Sequence, residues 1–287
     1  MGIFLLTAVT MVAFAANSVL ARLALAPGIG GDGAIDASGY SLIRIASGAF
    51  VLVLLVARRD GMAVSAARQH SSWASAMALF VYVAGFSFAY LVLDTGIGAL
   101  ILFACVQATM IGWGLIRGDR PSVLEWVGLV VAFGAFIALV SPGLSAPDPF
   151  GTVLMVAAGI AWGIYSLRGR SVSDALASTA GNFARATPIA LGLAVVFAAS
   201  LQFSTWGVAL AVLSGAVTSG LGYALWYRCL PQLTATRAAI VQLSVPAIAT
   251  LGGVVFSAED VSARLIICSV LILGGVAIAI TAKGKRV

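Results

Sequence analysis

The sequence predicts an all-α integral membrane protein. We expect ten transmembrane helices, formed as two inverted five-helix repeats, to make a basket around a central cavity. Three observations predict this fold class. The composition is far more apolar than that of a soluble domain, the chain divides into ten apolar runs of spanning length, and several motifs recur between its two halves.

The composition excludes an ordinary soluble domain. Of the 287 residues, 61% are hydrophobic and 9% are charged, whereas a soluble domain is about 25% charged. Because so few polar side chains cannot cover a water-facing surface, we expect the chain to lie in lipid, as its mean hydropathy of +1.09 also indicates. The 32 glycines suit spanning helices that approach closely through small side chains.

The apolar runs follow one another along the whole chain. Each is close to the roughly 20 residues that cross a bilayer, and each should be helical because lipid offers no partner to free backbone groups. The first run lacks the basic lead of a secretory signal and is therefore interpreted as a span. The predicted spans are residues 2–24, 38–57, 73–93, 96–116, 123–140, 150–168, 177–200, 204–227, 233–257 and 262–282.

Turn residues and charges separate these spans. The connector 25–37 is rich in Gly and Asp, the connector 58–72 is basic, and residues 230–234 (LPQLT) form a short polar turn. The ninth span stops at Glu259 and Asp260. No connector leaves room for a soluble domain, so the bilayer is the main environment of the protein.

Loop charges are segregated between the two predicted membrane sides. This favours cytoplasmic N- and C-termini by the positive-inside rule. The same rule accounts for the net charge of +6 better than nucleic-acid binding does, because no basic run is interleaved with aromatic residues. The basic residues on the side of the C-terminus are Arg58, Arg59, Arg68, Arg117, Arg120, Arg168, Arg170, Arg228, Lys283, Lys285 and Arg286. The acidic residues on the other side, where Arg264 is nearly the only basic one, are Asp32, Asp36, Asp94, Asp148, Glu259 and Asp260.

Motifs of the first half recur in the second half. Residues 14–18 (FAANS) precede Arg22, and residues 162–166 (WGIYS) precede Arg170, each pair 148 positions apart. Each copy has five spans, an odd number, so the two copies should lie in opposite orientations. This arrangement is typical of transporters, which bind substrate between their halves. The predicted repeats are residues 1–145 and 146–287.

The predicted membrane interior contains little that could support catalysis. Every Asp and Glu lies at or beyond a span end, and the sole histidine, His70, lies in a basic connector. The sequence has no HExxH motif, no Cys-His pair and no P-loop. Cys105, Cys229 and Cys268 lie in or beside apolar runs without CxxC spacing, which argues against a zinc site. We therefore expect no catalytic residue, no metal and no cofactor.

Aromatic and amide side chains inside the spans are the candidates for a substrate cavity. Tyr82, Phe86 and Tyr90 recur every four residues and so share one helix face. Ordinary helix packing is the alternative reading, together with an interfacial aromatic belt for Tyr90, Trp226 and Tyr227. The candidate cavity residues are Phe14, Asn17, Ser18, Tyr82, Phe86, Tyr90, Gln107, Trp162, Tyr165, Ser166, Tyr223 and Gln242.

Two arginines and two prolines also lie inside spans. Arg44 and Arg185 are the most deeply placed ionisable residues, and each could hold a substrate carboxylate. The alternative is that each side chain extends toward a span end or bonds backbone carbonyls. Pro188 and Pro246 each remove a backbone hydrogen bond, so each is either a hinge for alternating access or a static kink.

The whole chain resembles the drug/metabolite transporter superfamily, in particular its EamA-like ten-helix exporters. The residues that carry the resemblance are the duplicated motifs of spans 1 and 6 and residues 224–262 (ALWYRCLPQLTATRAAIVQLSVPAIATLGGVVFSAEDVS). The aromatic residues of spans 3, 6 and 8 look most like those of YddG-type amino-acid exporters. The resemblance implies a cavity lined by spans 1, 3, 4, 6, 8 and 9, with spans 5 and 10 at the periphery.

The resemblance also implies a function. We expect a secondary-active or facilitative carrier in a bacterial inner membrane that exports amino acids, with aromatic ones as one option, or related metabolites. Efflux of aromatic or cationic toxic compounds is the alternative, and an intramembrane enzyme is less favoured. Spans 1 and 6 lack the membrane glutamate of the superfamily's small multidrug pumps, which favours neutral, zwitterionic or aromatic cargo. The expected partners are a small molecule and lipid, with no nucleic acid and with a monomer as the working assumption.

Overall fold

The computed structural model describes residues 3–26, 35–60, 71–118, 122–141, 146–169, 172–229 and 241–283. In these ranges the chain is helical, and we number ten long helices in chain order. The first five are α1 (Ile3–Leu25), α2 (Ala37–Asp60), α3 (Trp73–Ala89), α4 (Thr95–Ile116) and α5 (Val123–Val140). The next five are α6 (Pro149–Gly169), α7 (Ala175–Val196), α8 (Thr205–Val212, Leu213–Leu221 and Gly222–Cys229), α9 (Ser244–Ser257) and α10 (Ala263–Lys283).

The all-helical fold class and the ten helices are confirmed. Nine of the ten predicted starts fall within two residues of the observed ones. The tenth, at residue 233, lies outside the described residues, and α9 is described from Ser244. Two features were not predicted, namely a π-helical segment inside α8 (Leu213–Leu221) and a short 3₁₀ turn after α7 (Ala198–Ser200).

Polar side chains at the helix starts explain several of these boundaries. The Ser72 hydroxyl accepts the Ser75 N–H at 3.1 Å, and the Asp174 carboxylate accepts the Ala177 N–H at 3.0 Å. Such caps satisfy amides that have no partner within the helix. At α5, Ser122 and Glu125 form a reciprocal capping box. The box explains why the carboxylate of Glu125 lies within the first turn of an otherwise apolar helix.

The structure is that of a multi-pass membrane protein. Six of the described helices, namely α1, α2, α4, α5, α6 and α8, are long and apolar enough to cross a membrane. Helices α3, α9 and α10 are apolar over shorter described lengths. Large apolar side chains such as Phe133 and Val255 are mostly exposed, as expected where lipid rather than water contacts the surface.

Charged contacts gather at two opposite ends of the helices. At one end the Arg59 guanidinium pairs with Asp174, and at the other end Arg22 pairs with Asp94 and Glu259. This division agrees with the segregation of charge along the sequence, although Asp174 is an acid at the basic end. The following basic residues used to predict orientation lie outside the described side chains: Arg68, Arg120, Arg170, Arg228, Lys283, Lys285 and Arg286. Asp32 and His70 lie outside them too.

Helices of the two halves pack mainly against one another. The larger contacts join α5 to α10, α1 to α8 and α9, α2 to α7 and α8, α3 to α6 and α7, and α4 to α6 and α9. When each helix of α1–α5 is exchanged for its counterpart in α6–α10 (α1 for α6, α2 for α7 and so on), the same contacting pairs result. The symmetry is what the predicted duplication would produce, and the two-repeat organisation remains our proposal.

Helices α5 and α10 form a closely packed pair at the periphery. A Cβ atom added at Gly275 would lie 2.8 Å from the Ala132 nitrogen, and one added at Gly128 would lie 2.8 Å from the Ala279 nitrogen. Backbone atoms at these distances cannot be displaced cheaply. The two glycines therefore allow the helix axes to approach, as small residues do in membranes.

The close approach predicts a position-specific loss of stability. We expect Gly275→Leu to lower the free energy of unfolding by about 1–3 kcal/mol, the usual cost of overpacking, because the new side chain forces α5 and α10 apart. The matched control is Gly274→Leu, since a Cβ at Gly274 meets nothing within 4 Å. Thermal unfolding of the purified variants in detergent measures the difference. Equal melting temperatures for the two variants would contradict the packing described here.

Candidate functional site

A buried arginine lies at the centre of the helix bundle. Arg44 on α2 is 1% exposed. Its Nη2 donates to the Tyr82 hydroxyl at 3.0 Å, and its Nε donates to Ser219 Oγ at 3.4 Å. The guanidinium carbon lies 4.7 Å from the ring centre of Phe86. The Arg44 side chain thus connects α2 with α3 and α8.

The positive charge of Arg44 has no negative partner in the described part of the chain. Its Nη1 is buried and makes no hydrogen bond to any described residue, and none of the described ion pairs includes Arg44. Phenol and ring contacts stabilise a cation only partly. A buried cation without a counter-charge is costly in an apolar interior.

Asn17 on α1 fixes the helix that faces Arg44. Its Oδ1 accepts hydrogen bonds from the hydroxyls of Ser214 (2.8 Å), Thr218 (2.6 Å) and Ser219 (3.3 Å). All three donors lie on the π-helical segment of α8. A π-segment widens the helical turn and often marks a functional position. Through Ser219, the Asn17 amide also fixes one of the Arg44 contacts.

Aromatic rings from four helices surround the Arg44 site. The Trp162 ring lies 4.8 Å from Tyr82 and 5.2 Å from Tyr223 between ring centres. It also stacks on Tyr165 at 5.5 Å with an interplanar angle of 23°. Phe14 of α1 reaches Tyr223 at 5.8 Å. Rings predicted from separate spans therefore converge in one place.

The other aromatic and serine residues predicted from the sequence are buried or half-buried where the structure describes them. Tyr90 is fully buried, and its hydroxyl donates to the Thr95 carbonyl at 3.3 Å. Trp226 is 8% exposed, so neither ring lies in a lipid-facing belt. Ser18 is buried on α1, and Ser166 is half-buried on α6. The Tyr227 side chain lies outside the described residues.

Two mid-span amides lie apart from the rings. Gln107 is buried on α4 but lines a cleft shared with α5 and α10. Gln242 is half-buried in a helical stretch that directly precedes the turn before α9. The sequence could not assign Gln107 to a helix face because both faces of α4 are apolar.

Arg185 has surroundings very different from those of Arg44. Its Nη1 donates to the Ser71 carbonyl at 2.6 Å, and its guanidinium lies 5.7 Å from the ring centre of Trp73. Both partners precede or begin α3, at the basic end of the bundle. The alternative that the sequence left open, a bond to a backbone carbonyl, describes this contact.

The two predicted hinge prolines also differ. Pro188 lies inside α7 with an exposed side chain. Pro246 is buried in the first described turn of α9. The kink and hinge alternatives both remain predictions for these positions.

A second polar cluster, not predicted from the sequence, closes the acidic end. Arg22 at the end of α1 donates through Nε to Glu259 and through Nη2 to Asp94, both at 3.1 Å. The Glu259 carboxylate also accepts the Thr95 backbone N–H at 2.8 Å. Ala258, in the left-handed conformation with a φ of 50°, ends α9 and positions Glu259. The cluster connects α1, the α3–α4 turn and the α9–α10 turn.

The sequence contained weak signals for the residues that were missed. Ser214, Thr218 and Ser219 follow a four- and five-residue spacing in an apolar run, and Arg22 ends a run that is otherwise uncharged. Asn17 lies 197 to 202 positions from the three hydroxyls, and Glu259 lies 237 positions from Arg22. Within the described ranges, no three His, Cys, Asp or Glu side chains are placed to hold a metal ion.

The acidic-end cluster predicts a change in accessibility. We expect Glu259→Gln to leave Arg22 with Asp94 as its only described carboxylate partner, whose side chain is 47% exposed, and so to loosen this end of the bundle. In a Ser18→Cys background, labelling of purified protein by a polar maleimide should become roughly tenfold faster, since removing one member of a buried pair is strongly destabilising.

The control for this experiment is Asp260→Asn. Asp260 is exposed and makes no described hydrogen bond or ion pair, so its replacement should leave the labelling rate of Ser18→Cys unchanged. The same rate in Glu259→Gln as in the control would show that the ion pairs do not hold the acidic end closed.

Comparisons with known proteins agree with this architecture. Residues 149–281 match the model of the EamA-like transporter family. The chain is 45% identical over 282 residues to an uncharacterised protein of Pseudomonas aeruginosa, covering 98% of this chain and 96% of the relative. It is 26% identical over 256 residues to an uncharacterised transporter of Archaeoglobus fulgidus, covering 84% of each.

The crystal structure of another protein superposes on this chain with a TM-score of 0.68, and the alignment covers 99% of each of the two chains. At 17% identity this likeness shows the fold alone. The fold, the family match over residues 149–281 and the sequence relatives lead to one conclusion: the chain belongs to the EamA-like transporter family.

Proposed function

We propose that the protein is a secondary-active or facilitative carrier that exports amino acids, or related small carboxylate metabolites, across a bacterial inner membrane. Its termini would lie in the cytoplasm, and access to the site would alternate between the two ends of the bundle. The observation that carries the proposal is the buried guanidinium of Arg44, which has no carboxylate partner in the described chain.

Electrostatics favour a carboxylate as the group recognised. Guanidinium stays charged at all physiological pH values and binds carboxylates through parallel N–H donors. In Arg44, Nη2 donates to Tyr82 and Nε donates to Ser219, while Nη1 makes no hydrogen bond to any described residue. A carboxylate that approached Nη1 would gain a charge-assisted hydrogen bond and would remove the unbalanced charge.

The rings around Arg44 favour an apolar or aromatic remainder of the cargo. The ring centre of Trp162 lies 4.8 Å from that of Tyr82 and 5.2 Å from that of Tyr223. Aromatic pairs in such tilted or offset arrangements contribute roughly 0.5–1.5 kcal/mol each beyond the area they bury. An aromatic amino acid would therefore complement the charge of Arg44 with its carboxylate and the rings with its side chain.

Asn17 supports the site indirectly in this proposal. Because its Oδ1 already accepts three hydroxyl donors, a substrate ammonium group would have to compete with them. We therefore assign Asn17 to positioning α8, and Arg44 to contact with the substrate.

The alternative of cationic drug efflux is disfavoured by the same observation. A cationic compound in the ring cluster would be repelled by Arg44, and no described carboxylate lies there to attract it. Neutral aromatic compounds would meet no such repulsion, but they would leave Nη1 unpaired.

A transport assay with matched cargo tests the proposal. We expect proteoliposomes to show saturable flux of labelled L-phenylalanine, and little flux of phenethylamine, which lacks the carboxylate. Arg44→Gln should lower the L-phenylalanine flux at subsaturating concentration by about 10- to 100-fold, since hydrogen bonds to charged groups contribute ~1.5–3 kcal/mol.

The matched control is Arg185→Gln, which removes a guanidinium that lies at the basic end against the Ser71 carbonyl. Its L-phenylalanine flux should stay within about twofold of the original, with gel filtration confirming that both variants remain folded. Absence of saturable flux for any amino acid would reject the cargo class. Equal flux for Arg44→Gln and the original protein would reject Arg44 as the carboxylate partner.

A further inference from the structure

A large apolar cleft lies outside the ring cluster, on the side of the bundle that faces α5 and α10. It measures about 480 Å³, which is the size of pockets that hold drug-like molecules. Helix α4 forms one wall, and the α5–α10 pair forms the other. Because α5 and α10 pack closely on each other but touch α4 only lightly, the cleft separates the peripheral pair from the rest of the bundle.

The walls of the cleft are almost entirely apolar, with one exception. Leu115, Leu129, Phe133 and Ile272 are typical of the lining. Gln107 supplies the only side-chain amide among the described lining residues. The amide lies twelve residues after the start of α4, or about 18 Å along the helix axis, and is therefore close to the bilayer centre.

The Gln107 amide lacks a partner in the described part of the protein. The residue is 5% exposed, yet no described group hydrogen-bonds to its side chain. A buried amide without a hydrogen bond is costly, and especially so in a site that excludes water. The two donors and the carbonyl oxygen of this amide are thus available to a molecule that enters the cleft.

We propose that this cleft binds a small lipophilic molecule that carries one hydrogen-bonding group, such as a hydroxyl or a carbonyl, entering laterally from the bilayer. The apolar walls hold the body of the molecule, and Gln107 binds the polar group. A phospholipid acyl chain is not the occupant that the geometry selects, because a hydrocarbon chain leaves the Gln107 amide unpaired. The site is distinct from the Arg44 cluster and does not depend on the cargo proposed there.

Substitution of either of two glycines by a residue with a large side chain would fill the cleft without distorting its walls. Gly112 on α4 and Gly134 on α5 both line the cleft, and a Cβ atom added at either meets nothing within 4 Å. A large side chain at Gly134 therefore enters open space. Gly274 on α10 is open in the same way but does not line the cleft, and it serves as the matched control.

The test compares two probes that differ by one hydroxyl group, 2-naphthol and naphthalene. Binding of the tritiated probes to the protein in nanodiscs is measured by scintillation proximity, with empty nanodiscs giving the partitioning background. The original protein should bind 2-naphthol saturably and at least fivefold more tightly than naphthalene, as roughly expected for one buried hydrogen bond. Gln107→Leu should remove this preference while leaving naphthalene binding intact.

The cleft itself is tested by the glycine variants. Gly134→Phe should abolish displaceable binding of both probes, and Gly274→Phe should bind both as the original protein does. Equal affinity of the original protein for the two probes would overturn the role of Gln107. An absence of displaceable binding, the result expected if lipid acyl chains fill the cleft, would overturn the proposal as a whole.

Discussion

The structure depends on a single positive charge that is enclosed by helices in an apolar medium. Arg44 is held by a phenol, a hydroxyl and the face of a ring, and each of these groups comes from a different helix from that of Arg44. Desolvation makes any displacement of one holder costly, since the guanidinium would lose a partner that water cannot replace. The positions of α2, α3 and α8 are therefore linked through one side chain.

The polar network around Arg44 also provides hydrogen-bond partners for hydroxyl groups in the membrane interior, where water is absent. Ser214, Thr218 and Ser219 would each seek a backbone carbonyl in an ordinary helix. All three hydroxyls lie within hydrogen-bond distance of one acceptor, Asn17 Oδ1, and the Thr218 hydroxyl also lies 2.9 Å from the Ser214 carbonyl. The π-helical segment of α8 and the Asn17 amide on α1 thus stabilise each other. Ser219 of this segment also accepts a hydrogen bond from Arg44, so the same contacts help to position the guanidinium.

The helices could be predicted from the sequence because lipid solvation sets the length of each apolar run. The faces of the helices could not, because a spanning helix is apolar toward lipid and toward the protein alike. Tyr90 and Gln107 illustrate this limit, since an aromatic belt explained the first as well as burial did, and a bond to substrate explained the second as well as a bond to a neighbouring helix did. The partners of Arg22 were hidden for another reason: Glu259 lies 237 positions away, and only the folded helix arrangement brings the two together.

The ion pairs at the two ends of the bundle differ in burial, and under the proposed function this difference bears on the direction of transport. Arg22 and Glu259 pair with side-chain exposures of 12% and 9%, whereas Arg59 and Asp174 pair at 44% and 24%. Exposed pairs contribute about 0–1 kcal/mol, and buried pairs are far more costly to break. A carrier interconverts only if its two conformations differ by a few kcal/mol, so the end with the weaker contacts opens more readily. In the orientation that we propose, that end faces the cytoplasm, which is the side from which an exporter must take up its cargo.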